Sequence, residues 1–357
     1  MKVIHIISAL NSPDVDVALP RFFSALQAKG VESQIVSMSL PENLQFPNIV
    51  THRFDIQRSG IDWSFFGKAL KLVGTQKPDV IHSYGARALL YGSLISLLTG
   101  RPSVHTFGEF PLKKIPSFFV QLNKIFIAPS EFFKNNLIKS GYLDLSKLKV
   151  IHAGILGSGG VDHSESAKKA VRKDLKIGES TFVLGYVAAF SKEKDQETLL
   201  KAFRNLIVKE FDGVLILAGA GAMLKDLERI AEELGVKESV RFVEGKNYQR
   251  LLPILDIAVD SSFDVLFPRP ILEAMSLGVP VVVTKVGAHT EIIEDGRSGI
   301  WVPCGFPERI EAAVMRLFVN RELLKTMGGE SQKRFFECFS LEQMVDKYFN
   351  CYRSFNK

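Results

Sequence analysis

The chain has 357 residues, which fits about two domains of ordinary size. With 46% hydrophobic and 24% charged residues it can form packed cores, which excludes a disordered, collagen-like or coiled-coil protein. Residues 1–155 contain 17 Lys and Arg against 10 Asp and Glu, whereas residues 156–357 contain 28 against 29. A basic first half is attracted to the phosphates of a substrate or an anionic membrane, although a solvated basic face fits equally well. The excess is too small for a dedicated nucleic-acid binder.

The sequence shows no candidate for a transmembrane helix or a secretion signal. Its longest nearly apolar stretch, residues 88–98, is shorter than the roughly 20 residues that cross a bilayer, and the N-terminus lacks the features of a signal peptide. The chain is therefore expected in the cytoplasm or at the inner face of the membrane. The cysteines Cys304, Cys338 and Cys351 lack CxxC spacing and are expected to be reduced thiols. Neither they nor the histidines form a metal motif, so no metal and no cofactor is expected.

Short apolar runs alternate with amphipathic segments along the first half. The runs predict strands at residues 2–8, 32–38, 79–83, 102–106, 124–130 and 147–153. The segments between them predict helices that include residues 15–29, 86–98 and 130–140. Most of the runs are continuously hydrophobic, which is typical of parallel strands covered by helices on both faces.

A second series follows a polar stretch, LGSGGVDHSESAKK (156–169), that predicts a linker. This series predicts strands at residues 181–188, 213–219, 239–245, 256–262 and 279–284, with helices at 197–210, 223–234 and 270–277. A last helix is expected from Ser340, whose hydroxyl can form a capping box with Gln343. We therefore expect an α/β protein of two doubly wound Rossmann-like domains facing a cleft, over residues 1–160 and 161–340. The C-terminal helix, 341–357, is expected to return to the first domain.

Ligands of doubly wound folds bind at the carboxyl ends of the strands, which directs attention to residues 260–302. A strand ends at Asp260, and a turn with Pro268 and Pro270 leads into a helix whose free amides and positive dipole end can bind an anion. Glu273 is expected in the first turn of this helix, where its carboxylate can accept hydrogen bonds from hydroxyls. A glutamate that only caps the helix fits the same pattern.

Three blocks in the second half carry a resemblance to a known family. They are FPRPILEAMSLGVPVVVT followed by VGAHTEIIEDGRSGIWV (267–302), GYVAAFSKEKDQETLLKAF (185–203) and LILAGAGAMLKDLERIAEELGVKESVRFVEG (215–245). In the first half, DVIHSYG, PSVHTFGEF, IAPSEFFKNNL and KVIHAGI follow in the family's order. Over nearly its whole length the chain resembles the retaining, GT-B-fold glycosyltransferases of family 4, also called glycosyl transferases group 1.

The resemblance implies transfer of a sugar from a nucleotide sugar to an acceptor hydroxyl, with retention and without a metal. The first domain would bind a glycan or glycolipid acceptor in cell-surface polysaccharide or glycolipid synthesis, and the second would bind the donor. The catalytic residues implied are His105, against the donor sugar, and Lys194, on the diphosphate, while Glu273 binds the ribose. Further donor-binding residues are expected at Gly219, Gly221, Asp264, Ile271 and Arg269.

The chain departs from the family pattern in three places. Val265 stands where the family has the first glutamate of its E-x7-E signature, with Asp264 adjacent; Ala189 stands where it has an arginine; and LNSPDVD stands where paired glycines are usual. Lys194 then supplies one charge against a diphosphate, and Arg269, between two prolines, is expected to add a bidentate donor. Two alternatives stay open: a non-catalytic relative acting as a binding or assembly partner, and a nucleotide-sugar epimerase.

Individual residues also have simpler interpretations. Lys194 fits a solvated loop lysine, and His105, like the second candidate His82, fits an ordinary buried polar residue at a strand end. Gly219 and Gly221 fit a tight strand-to-helix turn. The basic, aromatic segment PLKKIPSFFVQLNKIF (111–126) fits either contact with an anionic membrane or a helix facing the core.

Overall fold

The structure is a computed structural model that describes residues 1–8, 13–39, 44–54, 62–108, 121–139, 145–157, 161–244 and 247–355. The chain forms two compact units. Unit 1 contains Met1–Gly154 and Leu341–Lys357, and unit 2 contains Ile155–Ser340. The division falls a few residues before the boundary expected at residue 160. Among the described residues, no helix is both long and apolar enough to span a bilayer.

Within the described ranges, unit 1 contains a parallel sheet of seven strands in the order β3-β2-β1-β4-β5-β6-β7. The strands are β1 (Lys2–Ile7), β2 (Glu32–Ser37), β3 (Val50–Arg53), β4 (Val80–Tyr84), β5 (Ser103–Thr106), β6 (Ile125–Ala128) and β7 (Leu148–Val150). Helices in unit 1 are α1 (Pro13–Ala28), α2 (Trp63–Gln76), α3 (Ala86–Thr99) and α4 (Glu131–Lys139). The strands β4 and β6 are buried at every residue, which is typical of a parallel sheet covered by helices on both faces.

Unit 2 has a second parallel sheet, with six strands over the part of the chain that the structure describes, in the order β10-β9-β8-β11-β12-β13. The strands are β8 (Phe182–Val187), β9 (Gly213–Ala218), β10 (Val240–Val243), β11 (Ile257–Asp260), β12 (Val281–Thr284) and β13 (Ile300–Val302). The helices are α5 (Glu165–Asp174), α6 (Gln196–Val208), α7 (Leu224–Glu233), α8 (Arg269–Ser276), α9 (His289–Ile292), α10 (Pro307–Val319) and α11 (Arg321–Cys338). The expected α/β class with two doubly wound sheets is confirmed.

The last helix, α12 (Leu341–Arg353), belongs to unit 1. Its buried polar side chains form hydrogen bonds with side chains of the unit 1 sheet. Nδ1 of His82 lies 2.5 Å from the hydroxyl of Tyr352 and 2.9 Å from that of Tyr84. Nε2 of His82 lies 2.8 Å from Oγ1 of Thr106, which lies 3.0 Å from the hydroxyl of Tyr348. These hydrogen bonds give the buried polar atoms partners and fix where α12 packs.

Two parts of the sequence interpretation differ from the structure. The predicted linker is wrong in its second half because α5 begins at Glu165, where the hydroxyl of Ser164 accepts a hydrogen bond from the backbone N of Ala167 over 3.3 Å. The strands β3 and β13 and the helices α2, α9, α10 and α11 were not predicted. Residues 111–120 of the basic, aromatic segment lie outside the described residues, and the segment ends in β6.

Candidate functional site

Three segments converge at the carboxyl edge of the unit 2 sheet, where the strand order reverses between β8 and β11. They are residues 188–195 after β8, 261–268 after β11 and 285–288 after β12, and we call them the unit 2 edge. The backbone N of Phe263 donates to the carbonyl of Glu193, and that of Ala288 donates to the carbonyl of Val265, both over 2.9 Å. Doubly wound folds bind ligands at such reversal points, which makes this edge the candidate site.

Lys194 lies at the unit 2 edge with its side chain half-buried. It ends a single turn of 3-10 helix before α6, and its ammonium Nζ lies 3.4 Å from the carbonyl oxygen of Asp264. The carbonyl oxygen of Lys194 lies 2.8 Å from the hydroxyl of Tyr186 and 3.2 Å from Oγ of Ser261. The lysine backbone is therefore held by β8 and by the segment after β11, which leaves the ammonium beside that segment.

Asp260, the last residue of β11, is buried and supports the segment that follows it. Its Oδ1 accepts a hydrogen bond from the backbone N of Ser262 over 2.9 Å. Its Oδ2 lies 3.4 Å from Nε2 of the fully buried His289, whose Nδ1 donates to the carbonyl of Thr284 over 2.9 Å. Burial raises the pKa of Asp260, but the opposing effects of His289 and of the Ser262 hydrogen bonds are together larger and lower it below 3.8.

Arg269 and Glu273 form an ion pair on α8. Nε of Arg269 donates to Oε1 of Glu273 over 3.0 Å, and the glutamate side chain is 4% exposed. Because α8 begins at Arg269, with Pro270 in its first turn, Glu273 lies in the second turn. The expectation of a first-turn glutamate at the positive end of the helix is therefore wrong, and the charge that meets this carboxylate is the Arg269 guanidinium.

Three further residues named from the sequence lie in the same region. Val265, which stands where the family has a glutamate, is buried in the apolar core of unit 2. Asp264 is exposed, so it does not share the buried environment of Val265. Ile271 is buried in the same core as Val265, which leaves only its backbone for contact with a ligand.

Gly219 and Gly221 follow β9 at a close approach of two backbones. A Cβ built on Gly219 would lie 1.9 Å from the carbonyl oxygen of Ala188, and one on Gly221 would lie 2.3 Å from that of Phe190. Both positions therefore require glycine for the backbone beside the unit 2 edge to pack as it does. Their contact with a donor stays a prediction.

His105 lies in the core of unit 1, where it is 1% exposed. Its Nδ1 lies 2.9 Å from Oγ of Ser83, and its ring packs edge-on against Phe107 and Phe126. Burial lowers the pKa of His105 to about 3, against the smaller opposing effect of the Ser83 hydrogen bond. The imidazole is therefore neutral near pH 7, and its role beside a donor sugar stays a prediction.

Sequence reasoning missed the side chains that support the unit 2 edge. Asp260 was noted only as a strand end, while Tyr186 and His289 were not considered. A signal was present, because Asp260 ends the apolar strand β11 and His289 follows the apolar strand β12. Two titratable side chains placed after neighbouring parallel strands are expected to meet.

Comparisons with known proteins agree with this architecture. Residues 167–334 match the family model described as Glycosyl transferases group 1, and residues 21–155 match Glycosyltransferase Family 4. The N-acetyl-alpha-D-glucosaminyl L-malate synthase of Bacillus anthracis is 23% identical over 92% of this chain and 90% of its own. The capsular polysaccharide biosynthesis glycosyltransferase CapM of Staphylococcus aureus is 24% identical over 100% of this chain and 98% of its own.

A solved structure shares the fold. Anabaena Alr3699/HepE, in complex with UDP, has a TM-score of 0.80 at 19% identity and covers 99% of this chain and 100% of its own. The two family models together cover most of unit 1 and unit 2. The chain therefore belongs to the group 1, family 4 glycosyltransferases and has their GT-B fold.

Proposed function

We propose that this glycosyltransferase moves a sugar from a nucleotide sugar to an acceptor hydroxyl, with retention and without a metal ion. The observation that carries the proposal is the Lys194 ammonium at the unit 2 edge, 3.4 Å from the carbonyl of Asp264. A diphosphate leaving group gains negative charge as its bond to the sugar breaks, and a fixed cation can stabilise that charge. The complexes of the Anabaena protein with UDP and with UDP-glucose support a nucleotide-sugar donor.

The proposed acceptor is a glycan or glycolipid in the synthesis of cell-surface polysaccharide or glycolipid. The name of the CapM relative supports a polysaccharide. The excess of Lys and Arg over residues 1–155 supports peripheral contact of unit 1 with an anionic membrane surface. Unit 1 is thus assigned to the acceptor and unit 2 to the donor.

We propose for the site residues the roles that the family resemblance implies. Lys194 binds the donor diphosphate, Glu273 accepts hydrogen bonds from the ribose, and His105 contacts the donor sugar. Because its Nε is already bonded to Glu273, we assign Arg269 to orienting that carboxylate. This replaces the direct diphosphate contact expected from the sequence.

The proposal is tested by incubating the protein with UDP-, GDP- and ADP-sugars, with and without EDTA, in the presence of lipid-linked glycan acceptors. We expect one donor to be consumed with acceptor present, at a rate that EDTA leaves unchanged, and NMR to show the donor's anomeric configuration in the product. The matching nucleotide at 100 times its Kd should stabilise the fold by about 2.7 kcal/mol. Isomerised donor would favour the epimerase, and no stabilisation by any nucleotide would favour the non-catalytic alternative.

Glu273→Gln is expected to weaken nucleoside diphosphate binding about tenfold while leaving inorganic diphosphate binding within about twofold. An amide accepts hydrogen bonds from ribose hydroxyls more weakly than a carboxylate, and it also removes the anion that faces Arg269. Titration calorimetry with both ligands measures the difference. Glu193→Gln, at an exposed position of the unit 2 edge, is the control and should change neither affinity. Equal losses for the two ligands would contradict the ribose contact.

A further inference from the structure

Asp260 is linked to the Lys194 segment through contacts that none of the roles above uses. Its Oδ1 accepts from the backbone N of Ser262 over 2.9 Å and lies 3.0 Å from the hydroxyl of Tyr186. The same hydroxyl lies 2.8 Å from the carbonyl oxygen of Lys194, to which Oγ of Ser261 also donates over 3.2 Å. The backbone that carries Lys194 is therefore held by side chains grouped around Asp260.

His289 brings the segment after β12 to the same carboxylate. Its Nε2 lies 3.4 Å from Oδ2 of Asp260, and its Nδ1 donates to the carbonyl of Thr284 over 2.9 Å. The hydroxyl of Thr284 in turn donates to the carbonyl of Ser262 over 2.6 Å. Both ring nitrogens of His289 thus face oxygen atoms, one of Asp260 and one of Thr284, so the ring links the carboxylate to the end of β12.

A contribution to the stability of the fold is a weak explanation for a buried pair of Asp260 and His289. Burial takes polar side chains away from water, so apolar side chains of similar volume often stabilise a core equally well or better. Asp260 is 7% exposed and His289 is fully buried, so the pair lies beneath the unit 2 edge rather than on it. The contacts above tie it to the segments after β8 and β11, and His289 directly follows the segment after β12, which favours a role in fixing their geometry.

We propose that Asp260 and His289 are positioning residues: the pair fixes residues 191–195 and 261–265 so that the Lys194 ammonium lies where the donor diphosphate binds. Neither residue touches the donor. The identity of the ligand rests on the function proposed above. The ordering of the Lys194 segment by the pair rests on the hydrogen bonds described above, and it can be tested without a ligand.

Two variants of the pair separate positioning from stability. Asp260→Leu combined with His289→Ile replaces the pair by apolar side chains and is expected to keep the thermal midpoint within about 4 °C of wild type. Asp260→Asn keeps the shape, because its amide oxygen can accept from Ser262 and its NH2 group can donate to a neutral His289. Asp256→Asn is the matched control: it lies just before β11, and its carboxylate accepts from the backbone N of Val183 over 2.7 Å.

Hydrogen–deuterium exchange of the ligand-free protein is the first measurement. We expect the amides of residues 191–195 and 261–265 to exchange about tenfold faster in the double variant. Asp260→Asn and Asp256→Asn should exchange at wild-type rates in these segments. Unchanged exchange in the double variant overturns the proposal, whether or not the protein binds a nucleotide.

Titration with UDP, GDP and ADP is the second measurement. Lys194→Met is expected to weaken binding about tenfold in the wild-type background and about twofold in the double-variant background, because there the ammonium is no longer held in place. Equal effects of Lys194→Met in both backgrounds overturn the proposal. If the wild type binds none of the three nucleotides, the proposed function is contradicted instead. The exchange measurement then tests by itself whether Asp260 and His289 order the Lys194 segment.

Discussion

Replacing Lys194 with methionine is expected to lower kcat/KM for sugar transfer by about 100-fold or more. Methionine keeps an unbranched apolar stem and removes the ammonium that lies beside the carbonyl of Asp264. Ala189 stands where the family has an arginine. Its side chain is uncharged and cannot help Lys194 to stabilise the charge of the diphosphate. Because the charge on the diphosphate develops as the bond breaks, the loss should be larger in kcat than in KM.

The matched control for this variant is Lys192→Met. Lys192 is exposed and belongs to the same 3-10 turn as Lys194, so the change removes the same charge from the same segment. We expect its kcat/KM to stay within about twofold of wild type, because exposed charges are screened. Steady-state kinetics and thermal midpoints of both variants decide the matter. Similar losses at both positions would indicate a general field effect, and normal transfer by Lys194→Met would make Lys194 a solvated loop lysine.

Lowering the pH from 7.5 to 5.0 is expected to destabilise unit 1 by about 4 kcal/mol through His5 and His105 alone. Burial lowers the pKa of both to about 3. Burial, with the charges of these two residues, also lowers the pKa of His82 well below 6.5. Unfolded histidines bind protons below a pH of about 6.5, whereas folded His5 and His105 do so only near pH 3. The unfolded state therefore binds more protons across this range, and stability is lost as the pH falls.

Each unit contains one of the two tryptophans, Trp63 in unit 1 and Trp301 in unit 2, so the units can be followed separately. Urea unfolding of Trp301→Phe, detected by fluorescence, reports unit 1, and Trp63→Phe reports unit 2. We expect the unit 1 midpoint to fall more between pH 7.5 and 5.0.

His5→Gln is the control for the acid prediction. The ring nitrogens of His5 lie 3.2 Å from the hydroxyl oxygens of Tyr84 and Ser33, and an amide can form hydrogen bonds with both. The variant should show a shallower pH dependence of unit 1, by about one histidine's contribution of 2 kcal/mol at pH 5. An equal loss of stability in both units, or an unchanged slope in this variant, would contradict a cause in the buried histidines of unit 1.

The strands were predictable because burial on both faces leaves a continuous apolar run, as in residues 279–284, which contain β12. The helix α5 was not predictable from periodicity, because it is highly charged and buries no residue. Its start is marked instead by the Ser164 cap. The strand β3 is short, lies at the edge of its sheet and is partly exposed, so its sequence VTHR carries no clear apolar pattern.

The site was only partly predictable, for a related reason. Motif spacing placed Lys194 after a strand and Glu273 on a helix. The contact between Arg269 and Glu273 depends on the helix including Arg269, and a predicted start at Pro270 left the arginine outside it. The contact between Asp260 and His289 depends on the pairing of β11 with β12; the two strands were predicted, but their pairing was not used to bring these residues together.

Because α12 returns to unit 1, the two units can finish folding only in a fixed order during synthesis. Residues 155–340 leave the ribosome before α12 does, so unit 2 can fold while the sheet of unit 1 still lacks its last helix. Until then the side chains of His82 and Thr106 have not met the hydroxyls of Tyr348 and Tyr352. The half of the protein that is synthesised first is thus the half that is finished last.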